Sequence, residues 1–333
     1  MKTLLYFENE NALKKSGIGR ALRHQMKALS TNDVEFTLNK KDDFDIAHIN
    51  TYFLRSQKLL KKCHKKGKKV VVHGHSTFED FRKSFRLYKL MEPAFDNMLK
   101  RMYSKADVII TPTPYSKKLI ENYPFVKCPV YAISNGIDLD EYSYNEEKVK
   151  KFEKYFNIKE NDKVVMGVGL FFERKGILDF FEIARKMPDI KFIWFGNLAR
   201  ILVPLKILRA IKNRPSNVIM PGYIDGDIIK GAYLASNLVL FPSFEETEGI
   251  VALEALARKT PLLVRDIGVF DPWLVDNKNC LKAKTNEEFV EKINYALNND
   301  LSVMVEEGYK VAKEREISRV GKQIKEVYES LLK

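Results

Sequence analysis

Glu246 and Glu254 stand eight positions apart in LVLFPSFEETEGIVALEALAR, residues 238–258. Paired carboxylates serve glycosidases as acid and nucleophile. The surrounding pattern points elsewhere. Leu238–Phe241 is an all-apolar run closed by Pro242 and Ser243, as a buried strand would be. A polar loop runs to Gly249, and Ile250, Val251, Leu253, Ala255, Leu256 and Ala257 then repeat with helical spacing. Both acids therefore fall near the carboxyl end of a strand, the edge at which open α/β sheets bind ligands. The helix start at Gly249, Ile250 and Val251 offers free N–H groups and partial positive charge, suited to a phosphate. A solvated acidic loop is the plainer alternative, and the complete strand–loop–helix frame weighs against it.

Two further stretches carry chemistry. In Gly167–Gly176, GVGLFFERKG, a strand ends in glycine and the cations Arg174 and Lys175 precede a helix. Fixed cations stabilise charge that develops on a departing diphosphate. His73-Gly74-His75-Ser76 ends another apolar run, and all five histidines lie within the first 75 residues. Imidazole chemistry belongs to the N-terminal half. A His-x-His pair is a partial zinc set, but no third ligand has suitable spacing. Gly17-Ile18-Gly19-Arg20 opens a helix after the first strand, where glycines let backbone approach a diphosphate. A plain glycine turn explains that short motif equally well.

The frame at 238–258 resembles the retaining glycosyltransferases of family 4, which have the GT-B fold. Their hallmark is Glu, seven residues, Glu, preceded by Pro-Ser. The resemblance implies that Glu246 contacts donor-sugar hydroxyls and Glu254 the ribose, rather than acting as in a glycosidase. The usual Gly-Phe-Gly reads Thr247-Glu248-Gly249 here, and the Arg common after the second glycine of the GVG strand end is Leu170. Resemblance also makes Arg174 and Lys175 the diphosphate pair and gives Gly17 and Gly19 the glycine loop. It places Asn135, in Ile133–Asp138, and Gly196 beside the donor. A histidine near the reacting centre is implied, His75 by its His-Ser context, with His73 fitting nearly as well. The catalytic set is then His75, His73 and Glu246; donor contacts are Gly17, Gly19, Asn135, Arg174, Lys175, Gly196, Glu246, Gly249, Ile250, Val251 and Glu254. No metal or other cofactor is expected, since Arg174, Lys175 and the helix at Gly249 can carry the diphosphate charge.

The elements that position these residues alternate along the chain. Strands are expected at 3–7, 34–38, 45–49, 69–73, 107–111 and 130–133, with helices at 19–29, 52–65, 89–104 and 115–123. A second alternation has strands at 163–169, 191–195, 218–220, 239–241 and 261–264, with helices at 176–187, 227–235, 250–258, 286–298 and 303–311. Such alternation builds doubly wound parallel sheets. The expected class is α/β: two Rossmann-like domains, 1–150 on the acceptor side and 151–314 for the nucleotide sugar, facing a cleft. Tyr142–Asp162 reads as the interdomain linker. The charged amphipathic helix 315–333 is expected to cross back to the N-domain.

The length of 333 residues, with 45% hydrophobic and 30% charged, suits two folded domains. No apolar run is long enough to span a bilayer, the N-terminus reads as no signal peptide, and three scattered cysteines suggest a reducing cytosol. The formal charge of +13 is concentrated: residues 55–69 hold eight Lys/Arg and no acid. Arg55, Lys58, Lys61, Lys62 and Lys65, followed by Phe85, Arg86, Tyr88 and Lys89, mix cations with apolar groups as an interfacial segment does. Ordinary surface helices explain these stretches about as well. Residues 198–214 repeat the mixture with five Lys/Arg, interrupted by Pro204. A nucleic-acid binder would explain the charge but not Glu246 and Glu254, so no nucleic-acid partner is expected.

HGHSTFEDFRKSF and VGLFFERKGILDF look similar to Gram-positive glycolipid synthases. This implies a hexosyltransferase, peripheral on the inner face of the membrane, moving galactose from UDP-galactose onto glucosyl-diacylglycerol. Glucose from UDP-glucose onto diacylglycerol, or transfer to a polyprenyl-linked or soluble glycan, are the alternatives. A non-catalytic sugar-nucleotide binder is the alternative of another class.

Overall fold

The computed structural model describes residues 1–8, 17–82, 84–271 and 273–333. The first alternation resolves as β1 (Lys2–Tyr6), α1 (Gly17–Ser30), β2 (Glu35–Thr37), β3 (Ile46–Ile49), α2 (Leu54–Lys65), β4 (Lys69–His73), the single turn α3 (Phe78–Phe81), α4 (Tyr88–Tyr103), β5 (Val108–Thr111), α5 (Pro114–Glu121) and β6 (Val130–Ala132). The second comprises α6 (Glu146–Phe156), β7 (Val164–Val168), α7 (Ile177–Lys186), β8 (Lys191–Phe195), α8 (Leu205–Lys212), β9 (Val218–Gly222), α9 (Asp227–Ala235), β10 (Leu238–Phe241), α10 (Ile250–Ala257), β11 (Leu262–Arg265), β12 (Leu281–Ala283), α11 (Asn286–Asn298), α12 (Ser302–Glu314) and α13 (Ile317–Leu332).

The chain divides into two compact units. One comprises Met1–Phe81, Lys89–Asp138 and Arg315–Lys333; the other comprises Arg82–Tyr88 and Leu139–Glu314. Each holds a parallel sheet with six strands among the described residues, ordered β2-β1-β3-β4-β5-β6 and β12-β11-β10-β7-β8-β9. Strands such as Val108–Thr111 and Leu262–Arg265 are buried throughout, which is why they read as near-continuous apolar runs rather than alternating ones. Strand order reverses between β1 and β3 in the first sheet and between β7 and β10 in the second. Ligand-binding crevices of doubly wound sheets lie at such reversals.

The segment expected as a linker, 142–162, is largely the helix α6. Asn145 caps it by accepting from the Lys148 N–H at 3.0 Å, Glu146 and Glu147 fill the first turn, and Asn157 ends it in the left-handed conformation. Val149, Phe152 and Phe156 repeat along it with helical spacing, and Phe152 alone of them is buried. The helix spans the boundary expected at 150 and lies wholly in the second unit. It packs against α9, where a Cβ on Gly231 would stand 2.0 Å from the Lys148 carbonyl oxygen. Pro204 does not interrupt a helix. It precedes the first turn of α8, a position that needs no N–H. The short strand β12 was not expected from sequence.

In the first unit α13 completes the hydrophobic core: Ile317, Val320, Ile324, Val327 and Tyr328 pack with Leu5, Leu22, Ala28 and Ile110. The Asn135–Asp138 turn receives its start, with the Ile137 N–H donating to Arg315 O at 2.9 Å and the Ile317 N–H to Ile137 O at 3.1 Å.

Candidate active site

In the second unit the loops after β7 and β10 both leave the sheet at its point of reversal. The β7 loop ends in a short 3-10 turn, Glu173–Lys175, closed by Gly176 at φ 72°. A Cβ at Gly176 would lie 2.2 Å from the Pro242 carbonyl oxygen, so only glycine lets the two loops meet. They are joined further by the Phe244 N–H donating to Arg174 O at 2.7 Å. Lys175 forms an ion pair with Glu246, whose other carboxylate oxygen is 3.9 Å from the Arg174 guanidinium. Arg174 also donates to Glu245 O at 3.0 Å and to Ser84 Oγ at 2.8 Å. Arg174, Lys175 and Glu246 are thus brought together, with Glu246 buried.

Gly249, at φ 86°, precedes the first turn of α10, which begins with Ile250 and Val251. Phe241 and Phe270 pack against it so closely that a Cβ at this position would lie 2.9 Å and 3.2 Å from their rings. Gly196 ends β8, where a side chain would meet Gly169 O at 2.0 Å. Arg265 bolts the Pro242 loop in place, donating to Pro242 O at 3.1 Å and Lys284 O at 2.7 Å, pairing with Asp179, and stacking 3.9 Å from the Phe244 ring.

Glu254 is buried on α10, and both its oxygens are engaged: the Tyr142 and Tyr233 hydroxyls each donate to it at 2.6 Å. Arg258 lies 4.3 Å from the Tyr142 ring and 5.3 Å from Tyr233, and burial lowers its proton affinity. Sequence reasoning missed both tyrosines. Their only signal was tyrosine within otherwise polar or helical stretches far from the motif.

The first unit presents different chemistry. His48, at the centre of β3, stacks on His73 (centroids 5.2 Å apart), which stacks on His75 (3.9 Å). The planes lie within 17° of parallel, a face-to-face column rather than a ring of nitrogens converging on one point. Burial lowers the proton affinity of all three, His73 to about 3 with Asn135 alongside partly opposing the shift. All are neutral imidazoles near pH 7. His75, favoured over His73 from its sequence context, has Nε2 committed to Asn50 Oδ1 at 2.9 Å. His73 Nε2 is a buried ring nitrogen that meets no partner at full hydrogen-bond geometry among the described residues, with the Asn135 side chain as its polar neighbour. His48, Asn50 and Gln25 were missed. A histidine inside the otherwise apolar strand IAHI was the available signal.

Gly17 and Gly19 lie in the first turn of α1, exposed and buried respectively, and the loop preceding them is outside the described residues. Arg55, Lys58, Lys61, Lys62 and Lys65 are exposed along α2, while Leu59, Leu60 and Cys63 face inward. Arg86 and Lys89 are exposed, as are Leu87, Leu90 and Met91. Phe85, expected to face lipid, packs against Phe172 instead at 4.9 Å, half-buried; Tyr88 is also half-buried. Among the described residues no helix is long and apolar enough to cross a membrane.

Family models described as "Glycosyltransferase Family 4" and "Glycosyl transferases group 1" match residues 16–141 and 148–314. The processive diacylglycerol alpha-glucosyltransferase of Acholeplasma laidlawii is 50% identical over 333 residues, covering 100% of this chain and 99% of that protein. The chain belongs to the family 4, group 1 glycosyltransferases. Among solved structures this glycosyltransferase is similar to sucrose-phosphate synthase from Thermosynechococcus elongatus (TM-score 0.83, 15% identity, covering 100% of this chain and 99% of that one). It is likewise similar to Anabaena HepE in complex with UDP and glucose (TM-score 0.81, 15% identity, covering 99% and 100%). These likenesses give the glycosyltransferase the GT-B fold, with two Rossmann-like parallel-sheet domains.

Proposed function

We propose that this chain is a retaining glucosyltransferase that moves glucose from UDP-glucose onto diacylglycerol and onto its own glucosylated product. The observation that carries the reading is the meeting of Arg174, Lys175 and Glu246 at the sheet reversal of the second unit. Two fixed cations there suit a diphosphate leaving group, since they meet charge that grows as the sugar bond breaks. Glu246 neutralises Lys175. Bound donor places its diphosphate on the cations and a sugar hydroxyl on the carboxylate. Glu254 reads the ribose, and the amides of Ile250 and Val251 add to the phosphate site. Gly17, Gly19, Asn135 and Gly196 keep their proposed donor contacts, and a histidine of the first unit hydrogen-bonds a sugar oxygen.

The Acholeplasma relative's name supports glucose over the galactose expected from sequence, and supports a diacylglycerol acceptor and repeated transfer. The alpha linkage in that name supports retention, since glucose in UDP-glucose, the donor proposed for this chain, is itself alpha-linked. The exposed cations of α2, with Arg86, Lys89 and exposed Leu87, Leu90 and Met91, suit an anionic bilayer surface from which such an acceptor is drawn.

The test supplies radiolabelled UDP-glucose or UDP-galactose over vesicles holding diacylglycerol or glucosyl-diacylglycerol, with anionic or zwitterionic lipid. Label from UDP-glucose should enter both lipids with alpha linkage by NMR, faster on anionic vesicles. Label only from UDP-galactose would replace the donor. Tight donor binding without transfer to either lipid would make the protein a sugar-nucleotide binder or an enzyme for another glycan.

A further inference from the structure

Six buried side chains of the first unit form one hydrogen-bonded chain. Tyr328 Oη, from α13, lies 2.6 Å from His48 Nδ1, and Gln25 Nε2 lies 2.8 Å from the same nitrogen. His48 Nε2 is 3.1 Å from His73 Nδ1. Asn50 Nδ2 donates to Gln25 Oε1 at 2.9 Å, and His75 Nε2 is 2.9 Å from Asn50 Oδ1. Gln25 and Tyr328 belong to neither the donor-loop motif nor any feature singled out in the sequence.

A neutral imidazole has one N–H and one lone pair, so each contact dictates the next. Gln25 uses its oxygen to accept from Asn50, which turns its amide nitrogen toward His48. The shorter Gln25 contact is to Nδ1; the other, 3.2 Å to Nε2, meets a nitrogen whose proton points elsewhere. The Gln25 amide nitrogen can only donate, so His48 Nδ1 is an acceptor whose one lone pair Gln25 and Tyr328 share, and the proton of His48 sits on Nε2. It donates to His73 Nδ1, which leaves the His73 proton on Nε2. His75, donating through Nε2 to Asn50, has the same tautomer. Every link runs in one sense, and it ends on the buried Nε2–H of His73, which meets no acceptor at full hydrogen-bond geometry among the described residues, the Asn135 side chain being the polar group beside it. Buried donors in native proteins are nearly always well matched, and one left short of a good acceptor suits a ligand oxygen.

We propose that Tyr328, Gln25 and His48 are positioning residues that lock His73 in the Nε2–H tautomer, as a hydrogen-bond donor to a hexose oxygen of the substrate. This rests on the sugar-transfer reading above. The lowered proton affinity of all three rings keeps His73 a donor of a hydrogen bond rather than of a proton. Neutral donation needs the correct tautomer, which a solitary imidazole does not hold by itself. The hexose belongs either to the nucleotide sugar or to a glucosylated lipid acceptor.

Long-range 1H–15N correlation spectra of the full chain, labelled at histidine, read the tautomers directly. His48, His73 and His75 should all carry the proton on Nε2, and the His73 Nε2 resonance should move on adding UDP-glucose or glucosyl-diacylglycerol. Whichever ligand moves it identifies the source of the hexose. His48→Phe removes the donor to His73 Nδ1, so the His73 tautomer should become mixed and kcat fall about tenfold. KM should rise only for the substrate that moves the resonance. His48→Gln, whose amide can donate in place of Nε2, should restore both the tautomer and most of kcat. Tyr328→Phe leaves Gln25 in place and should lower kcat about threefold, with the partial tautomer change to match.

A His73 proton on Nδ1 in the unaltered protein overturns the proposal, because the chain would then run the opposite way. So does a resonance indifferent to both ligands, or a His48→Phe enzyme with mixed tautomer and unchanged kcat. Should His48→Phe not fold, the unaltered protein's tautomers and ligand shifts decide the question. A resonance that moves in a protein that transfers no sugar would leave the proposal standing and overturn the glucosyltransferase reading.

Discussion

Beyond β7 and β10 the second sheet presents ions: Arg174 and Lys175 around Glu246, with buried Glu254 held by two tyrosine hydroxyls. At β3 and β4 the first sheet presents neutral groups, three stacked imidazoles and two amides. The ionic set lies in loops at its sheet's reversal, whereas the imidazoles come from within β3 and from the end of β4, one strand beyond the reversal of theirs. The charged set suits a ligand that brings charge of its own. The neutral set, too deeply buried to hold a proton near pH 7, suits hydroxyls and ether oxygens. The ionic set is the one proposed to meet a leaving group, and the neutral set the one proposed to meet sugar.

Removing a cation should strain that contrast most. Lys175→Ala or Arg174→Ala should lower kcat/KM for UDP-glucose by about 100- to 1000-fold, the size seen on losing one preorganised electrostatic contact. Part of the Lys175→Ala loss reflects Glu246 left buried without its partner. Adding Glu246→Gln to Lys175→Ala should therefore cost less than the sum of the two single changes, which a double-mutant cycle in steady-state assays measures. A loss under threefold for either cation would mean that the ionic set does not hold the diphosphate.

Tyr142→Phe and Tyr233→Phe take one donor each from Glu254. Each should weaken UDP binding by about three- to tenfold, less than the full worth of a hydrogen bond to a charged group because the other tyrosine still holds the carboxylate, as calorimetry would show. Unchanged UDP affinity in both would remove Glu254 from the ribose site. Gly249→Ala places a methyl 2.9 Å from Phe241 at a positive φ, and should lower melting temperature before it lowers UDP affinity in the fraction that remains folded.

The smallest effect sharpens the neutral side. An unfolded histidine takes up its proton near pH 6.5, whereas His73 in the folded chain does so only near 3. In that window the unfolded state binds more protons, so stability is fully present above about pH 6.5 and is lost as pH falls toward 3. His73→Gln should remove about 0.7 kcal/mol of the stability change between pH 7 and pH 6. Urea midpoints of both proteins at the two pH values check this. An identical pH dependence would mean that His73 is not held neutral.

The sequence made the charged set legible because its residues are close in the chain: Arg174-Lys175 beside a glycine, and Glu246 and Glu254 within one strand–loop–helix. The imidazole set was legible only as the local pair His73 and His75. Its organising members come from α1, β3 and α13, at positions 25, 48, 50 and 328, and no local period links them. The alternating strands were readable because parallel strands buried on both faces are unbroken apolar runs. Helix α6 carried a signal too, Val149, Phe152 and Phe156 at helical spacing between the caps Asn145 and Asn157, but its dense charge resembles that of a linker.

The docking of α13 into the first unit has a consequence for how the chain is made. Synthesis runs from the N-terminus, and domains generally fold as they emerge from the ribosome. Here residues 139–314 of the second unit are finished before Arg315–Lys333 of the first exist. The unit that begins first is therefore completed last. Until Tyr328 leaves the ribosome, His48 lacks one of its two donors and the core around Leu22 and Ile110 lacks its covering helix. In a nascent chain the strands of the second unit therefore precede the helix that aligns the first unit's histidines.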